Sequence, residues 1–232
     1  MSDGCVLYYI TDRKSLAVDE ATRRVRLLDK ISEAATHGID YVQLREKDLT
    51  IRELESLALE AMRVIVGLSS GDRPLRTALL INSRTDVALA RAVQGVHLTA
   101  GDVTPADVRA SWGRGAGLTR PAQLLPQEKL SRDPIVAVSC HSVEEVAQAA
   151  SRGATFAVFA PVFEKKDAPE VPAAGLDALR EACRATIPVL ALGGVTPENA
   201  EACLQAGAAG IAAIRLFQEN RIDAIVRQMR GR

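Results

Sequence analysis

The order of the apolar segments limits this chain more than any other feature. Eight short runs of aliphatic and β-branched residues alternate with longer amphipathic stretches. The runs are Val6–Thr11, Tyr41–Glu46, Ala78–Asn82, Gly95–Thr99, Ile135–Cys140, Phe156–Val162, Val189–Gly193 and Gly210–Leu216. Most are apolar nearly throughout, which is how strands read when helices cover a parallel sheet. Helical patterns lie at Glu20–His37, Ile51–Val66, Thr85–Ala92, Thr104–Ser111, Val143–Arg152, Leu176–Ala185, Pro197–Ala206 and about Asn220–Met229. Ser142 and Glu145 have capping-box spacing, Pro197 suits the first turn of its helix, and Ala206-Gly207 reads as a helix end. Eight βα units in 232 residues fit a single (β/α)8 TIM barrel. A doubly wound sheet is the main rival, but it usually carries roughly five to seven strands.

Composition supports the barrel. Hydrophobic residues make up 47% of the chain and aromatic residues only 3%. The core must therefore be built from Ala, Val, Leu and Ile, as in helix-covered parallel sheets. No linker or shift in composition divides the chain, so residues 1–232 read as one domain. The Gly/Pro-rich segment at about 113–133 is irregular. It joins the fourth helix to the fifth strand on the N-terminal side of the barrel, where an interface or, preferably, a mobile loop is expected rather than a catalytic element.

Formal net charge is zero, which gives no electrostatic reason to expect nucleic acid or an anionic membrane as a partner. No apolar run approaches the roughly 20 residues needed to span a bilayer. The first residues, Met1-Ser2-Asp3-Gly4, carry neither a basic region nor an apolar signal core. The four cysteines (Cys5, Cys140, Cys183, Cys203) are scattered and form no C-x-x-C. A reducing, cytoplasmic setting is expected. A homo-oligomer is left open.

In a barrel the chemistry gathers at the C-terminal ends of the strands. The run Tyr41-Val42-Gln43-Leu44-Arg45-Glu46-Lys47 ends one strand with an amide and two cations on alternate positions, hence on one face. Such a cluster suits an anion with several oxygens, such as a diphosphate. The plain alternative is a solvated strand end with an internal Arg45–Glu46 pair. Asn82, Ser139, His141, Lys165, Lys166 and Arg215 add polar or cationic groups at other strand ends. Gly193-Gly194 follows the seventh strand and opens a helix, the usual place for a barrel phosphate site, which the turn near Arg215 would complete. A rim so rich in donors points to small phosphorylated substrates. Asp102 reads either as a Mg²⁺ ligand or as an acid at a helix N-terminus. His141 reads as a general acid or base, or as a hydrogen-bonding rim residue. His97 reads as a structural histidine and Cys140 as core packing.

Taken together these motifs resemble the thiamine phosphate synthase / thiazole tautomerase family of (β/α)8 barrels. The likeness rests on Tyr41 to Lys47, Leu80-Ile81-Asn82, Gly95-Val96-His97-Leu98 with Asp102, and Val138-Ser139-Cys140-His141-Ser142. It continues through Phe159-Ala160-Pro161-Val162-Phe163, Gly175-Leu176 and Ala191 to Asn199. It implies a Mg²⁺-assisted condensation of a hydroxymethylpyrimidine diphosphate with a thiazole phosphate. Gln43, Arg45, Lys47 and Asn82 would grip the diphosphate and Asp102 the metal. Ser139 would contact the pyrimidine, and Gly193 and Gly194 would take the thiazole phosphate. The chain departs from the synthase pattern in four places. Ser83 replaces an acid, Glu164-Lys165-Lys166-Asp167 replaces a Thr-x-Thr-Lys loop, Arg215-Leu216 replaces Ser-Ala, and Thr99-Ala100 replaces Gly-Gln. Those departures keep two alternatives open: a tautomerase acting on a thiazole carboxylate phosphate with His141 as acid/base, and a non-catalytic paralogue that binds a thiazole or thiamine phosphate.

Overall fold

The computed structural model describes residues 4–68, 77–91, 93–115, 133–164 and 170–231. Eight parallel strands close into a barrel in sequence order. They are β1 (Val6–Ile10), β2 (Tyr41–Leu44), β3 (Ala78–Asn82), β4 (Gly95–Leu98), β5 (Ile135–Cys140), β6 (Phe156–Phe159), β7 (Val189–Ala191) and β8 (Gly210–Ala213). Closure is made by β1 against β8, in register from Val6 opposite Gly210 to Tyr9 opposite Ala213. The helices are α1 (Glu20–Thr36), α2 (Ile51–Gly67), α3 (Thr85–Arg91), α4 (Pro105–Gly115), α5 (Val143–Ser151), α6 (Gly175–Ala182), α7 (Ala200–Gln205), α8 (Arg215–Gln218) and α9 (Ile222–Arg230). This is the expected (β/α)8 architecture.

The alternation of strand side chains produces two cores. Tyr8, Ile10, Leu80, Ala137, Phe156, Val158, Leu190 and Ala212 fill the barrel interior. Their sequence neighbours, such as Tyr9, Ile81, Val136, Ala157 and Ile211, pack outward against the helices. Helix starts are fixed locally. The Asp19 side chain accepts from Thr22 N–H, and Thr50 with Glu53 forms a reciprocal capping box at α2. Ser142 caps α5 by accepting from Glu145 N–H, but the Glu145 carboxylate reaches the N–H of His141 rather than returning to Ser142.

Several boundaries differ from the sequence reading. β2 stops at Leu44, because Glu46 leaves the ladder and turns to Arg13. Pro197 lies in a turn before α7 rather than inside it. Asn199 accepts from Thr196 N–H and holds the helix start back to Ala200. β8 ends at Ala213, and Arg215 opens the short helix α8 instead of ending a strand. α4 runs on to Gly115, so the irregular segment expected at 113–133 begins helically. Its residues 116–132 lie outside the described ones. No described helix is long and apolar enough to cross a membrane.

Candidate active site

The C-terminal strand ends bring Gln43, Asn82, His97 and Ser139 to the top of the barrel interior, with Arg45 and Lys47 just beyond β2. Register accounts for the grouping: Gln43 lies opposite Leu80, Asn82 opposite His97, and His97 opposite Ala137, two residues before Ser139. Gln43 and His97 are buried. Arg45 is half-buried and Lys47 exposed. Among the described residues, neither the Arg45 guanidinium nor the Lys47 ammonium has a hydrogen-bond or ion-pair partner. The expected alternative, an Arg45–Glu46 pair, is absent. Glu46 instead accepts from the backbone and guanidinium of Arg13 and from the Thr11 hydroxyl. Arg13, buried just after β1, also binds Glu20 and both carboxylate oxygens of Asp48. That network anchors the segment carrying Arg45 and leaves its cation unspent.

A hydrogen-bond chain crosses the mouth from β2 to the loop after β4. Gln43 Nε2 donates to Asn82 Oδ1 at 2.7 Å, Asn82 Nδ2 donates to Ser83 Oγ at 3.1 Å, and Ser83 Oγ donates to Asp102 Oδ2 at 2.8 Å. The carboxylate only accepts, so it sets the direction of every bond behind it. Gln43 Oε1 is consequently left buried with no partner among the described residues. Ser83 sits in the left-handed region at φ 57, an uncommon conformation for a residue with a Cβ and one often found at functional turns.

Asp102 does not act as a helix N-terminal acid. Thr104 and Asp107 cap α4, while Asp102 Oδ2 closes its own turn by accepting from Thr99 N–H and Oγ1. Its Oδ1 has no hydrogen-bond partner among the described residues. An Mg²⁺ ion would find one carboxylate and one hydroxyl here. Asp86, the nearest candidate for a second acid in sequence, gives both oxygens to Arg84. No group of three or more His, Cys, Asp or Glu among the described residues could hold a metal by itself. The donor set therefore fits an Mg²⁺ ligated largely by substrate phosphates, as Mg²⁺ commonly is, rather than one caged by protein.

His141 is exposed at the end of β5, and its Nδ1 donates to the Ala160 carbonyl at 2.7 Å. In the neutral imidazole that bond places the hydrogen on Nδ1, so Nε2 is the acceptor. Gly193 and Gly194 both take positive φ, 95° and 66°. A Cβ on Gly194 would stand 2.5 Å from the Glu164 carbonyl oxygen, so this turn requires glycine. Lys165 and Lys166 lie outside the described residues. Beside the mouth, Thr99, Asp102, Ser139, Cys140, Glu145 and Arg152 help line a cavity of about 130 Å³.

Two contributors were not named from the chain: Tyr8 lies under the mouth and bonds His97, and Arg13 is the buried counter-ion of Glu46. Only the cation directly after β1 hinted at the latter. Ser83 was singled out only as a replaced acid, and its link from Asn82 to Asp102 was not foreseen.

A closed (β/α)8 barrel that collects unpaired cations, an orphaned acceptor and a glycine turn at its C-terminal strand ends has the layout of a barrel enzyme for anionic small molecules. The family model for thiamine monophosphate synthase matches residues 7–123 and 122–217, and the chain belongs to that family. A putative thiamine-phosphate synthase 2 of Aquifex aeolicus is 35% identical over 92% of this chain and 97% of its own length. A thiamine-phosphate synthase of Caldanaerobacter subterraneus is 32% identical over 96% of this chain and 91% of its own. Among solved structures, a thiamine phosphate pyrophosphorylase of Pyrococcus furiosus shares the fold with a TM-score of 0.71, at 24% identity, covering 97% of this chain and 93% of its own.

Proposed function

We infer that the protein is a thiamine-phosphate synthase. It joins hydroxymethylpyrimidine diphosphate to thiazole phosphate, giving thiamine phosphate and diphosphate, within one barrel domain spanning residues 1–232. The observation that carries this reading is the pair of unspent cations, Arg45 and Lys47, beside the Gln43–Asn82 bond. The Arg45 charge, half-buried without a counter-ion, is costly unless a ligand supplies one, the exposed Lys47 adds a second cation beside it, and a departing diphosphate is such a ligand.

In this reading the C–O bond to the diphosphate breaks and the thiazole nitrogen forms the new bond to the pyrimidine methylene carbon. Arg45 and Lys47 bind the diphosphate oxygens and stabilise the charge that grows on them. Asn82 borders the same site. Gln43 offers its Oε1 as an acceptor, because its Nε2 is already committed to Asn82. Ser139 contacts the pyrimidine. Gly193, Gly194 and Arg215 take the thiazole phosphate, and Lys165 or Lys166 supplies a further cation from the loop after β6. Asp102, with Ser83 beside it, would hold Mg²⁺, which when bound neutralises part of the diphosphate charge. The substrates are small and phosphorylated, and a cytoplasmic location fits that chemistry.

Arg45→Ala tests the assignment. It should lower kcat/KM for thiamine phosphate formation by on the order of 10²-fold, the scale for one lost transition-state donor, with an unchanged melting temperature. Turnover equal to that of the parent protein would count against the assignment.

One observation favours a second reading, a thiazole tautomerase. His141 Nδ1 is pinned to Ala160, so Nε2 is positioned to take a proton, and that reaction needs no second metal ligand where Ser83 stands. Proton exchange on thiazole carboxylate phosphate that survives EDTA and disappears in His141→Ala would establish it.

A further inference from the structure

A second hydrogen-bond chain runs through the barrel axis beneath the mouth. The Tyr8 hydroxyl lies 2.9 Å from His97 Nδ1, and His97 Nε2 lies 2.7 Å from Ser139 Oγ. The three residues come from β1, β4 and β5. Tyr8 is fully buried and His97 nearly so. Burial above all, with the Arg45 charge adding to it, pushes the His97 pKa down to about 3. The imidazole is therefore neutral, with one nitrogen donating and the other accepting.

Only one arrangement of the protons satisfies the buried groups. If the Ser139 hydroxyl donated to Nε2, the other nitrogen would carry the hydrogen and donate to the Tyr8 oxygen. The Tyr8 hydrogen would then need another acceptor, and among the described residues the Tyr8 hydroxyl meets none besides His97. Its surroundings are aromatic: Tyr41 stands edge-on with ring centroids 5.8 Å away, and Phe156 edge-on at 5.6 Å. A hydroxyl hydrogen stranded there costs the full desolvation of a buried donor. In the opposite arrangement Tyr8 donates to Nδ1 and Nε2–H donates to Ser139 Oγ, and no buried hydrogen is orphaned. The Ser139 hydrogen then has no acceptor among the described residues and is free to point into the mouth.

We propose that Tyr8 and His97 are positioning residues that turn Ser139 into a hydrogen-bond donor toward an acceptor atom of the bound substrate. Ser139 touches the substrate, and Tyr8 and His97 act only through it. The recognised feature is thus an acceptor, a ring nitrogen or a phosphate oxygen, at the point Ser139 faces. A substrate presenting only an N–H there would leave the Ser139 hydrogen without an acceptor. The activity arm of the test rests on the synthase reading, whereas the proton arrangement does not.

The test is a nitrogen NMR spectrum of the full chain labelled with ¹⁵N-histidine. The chain has three histidines, and His37→Gln and His141→Gln identify the His97 signals by difference. His97 should be the Nε2–H tautomer and should stay unprotonated from about pH 5 to 8, where an ordinary histidine titrates. An Nδ1–H tautomer in the parent protein would overturn the proposal. Tyr8→Phe should mix the tautomers and lower kcat/KM for thiamine phosphate formation by about fivefold to tenfold, the scale of one hydrogen bond. In a Ser139→Ala background the same change should cost less than about twofold, since residues acting through one group are not additive. An undiminished loss in that background would show that Tyr8 acts otherwise and would overturn the proposal. Should the parent form no thiamine phosphate, the synthase reading fails, and the tautomer of His97 still decides the proton arrangement.

Discussion

Replacing Arg13 by Met separates a buried ion pair from a decorative one. The Arg13 side chain is 4% exposed and that of Glu46 is 2% exposed, whereas its other partners Glu20 and Asp48 are 54% and 39% exposed. The exposed pairs contribute about 0–1 kcal/mol each. The buried one matters because removing Arg13 strands the Glu46 charge, an effect of roughly 3–5 kcal/mol for a buried pair. Glu46 would keep the Thr11 hydroxyl and the backbone N–H of residue 13, which places the expected loss at the lower end, about 3 kcal/mol. For a chain of this size that corresponds to a fall in Tm of about 6–12 °C. Glu46→Gln should cost less, about 1–2 kcal/mol, because Arg13 keeps both bonds to Asp48. Urea unfolding with an unchanged m-value, alongside calorimetry, measures both variants. A drop below about 2 °C in Arg13→Met, or a larger loss in Glu46→Gln than in Arg13→Met, would show that the stranded Glu46 charge does not set the cost.

Other outcomes follow from the same contacts. The Arg13 guanidinium, with smaller help from Lys14, holds the Asp48 carboxyl well below its usual range. A depressed folded pKa contributes stability in full above the ordinary carboxylate value near 4. That stability is lost as pH falls through the depressed folded value. The acid limb of the stability curve should therefore flatten in Arg13→Met, and an unchanged limb would show that Asp48 is not coupled to Arg13. Ser83→Asp places a second carboxylate beside Asp102. Two charges about 4 Å apart repel by on the order of 4 kcal/mol at a near-surface dielectric, before solvent screening reduces this severalfold. Its Tm should fall by a few degrees in EDTA and recover with Mg²⁺. Absence of any Mg²⁺ response would mean that position 83 does not face the metal.

The barrel was legible because parallel strands covered on both sides read as unbroken apolar runs, and eight such runs separated by helices leave few topologies. Their ends were not legible, since alternation alone does not show where a ladder stops. Arg45 and Glu46 continue the alternation of β2, yet Glu46 turns away to a cation 33 residues earlier. Ile214-Arg215-Leu216 likewise continues the apolar pattern of β8 while the backbone enters α8. Pro197 promised a first helical turn, but the Asn199 side chain closes a turn on Thr196 instead. At the site, the residues at the strand ends could be named from periodicity. What they bond to could not, because Gln43 and Asn82 are 39 residues apart and His97 and Ser139 are 42 apart. His97 was read as a structural histidine of strand four and is buried there, but its two partners follow from closure of the sheet rather than from any local pattern.

Product formation by the unmodified protein decides whether it is a synthase. Purified chain would be incubated with hydroxymethylpyrimidine diphosphate, thiazole phosphate and Mg²⁺, and thiamine phosphate followed with and without EDTA. A synthase gives thiamine phosphate and an equal amount of diphosphate, abolished by EDTA and restored by excess Mg²⁺. No product under these conditions, with the protein folded and thiazole phosphate bound, would contradict it.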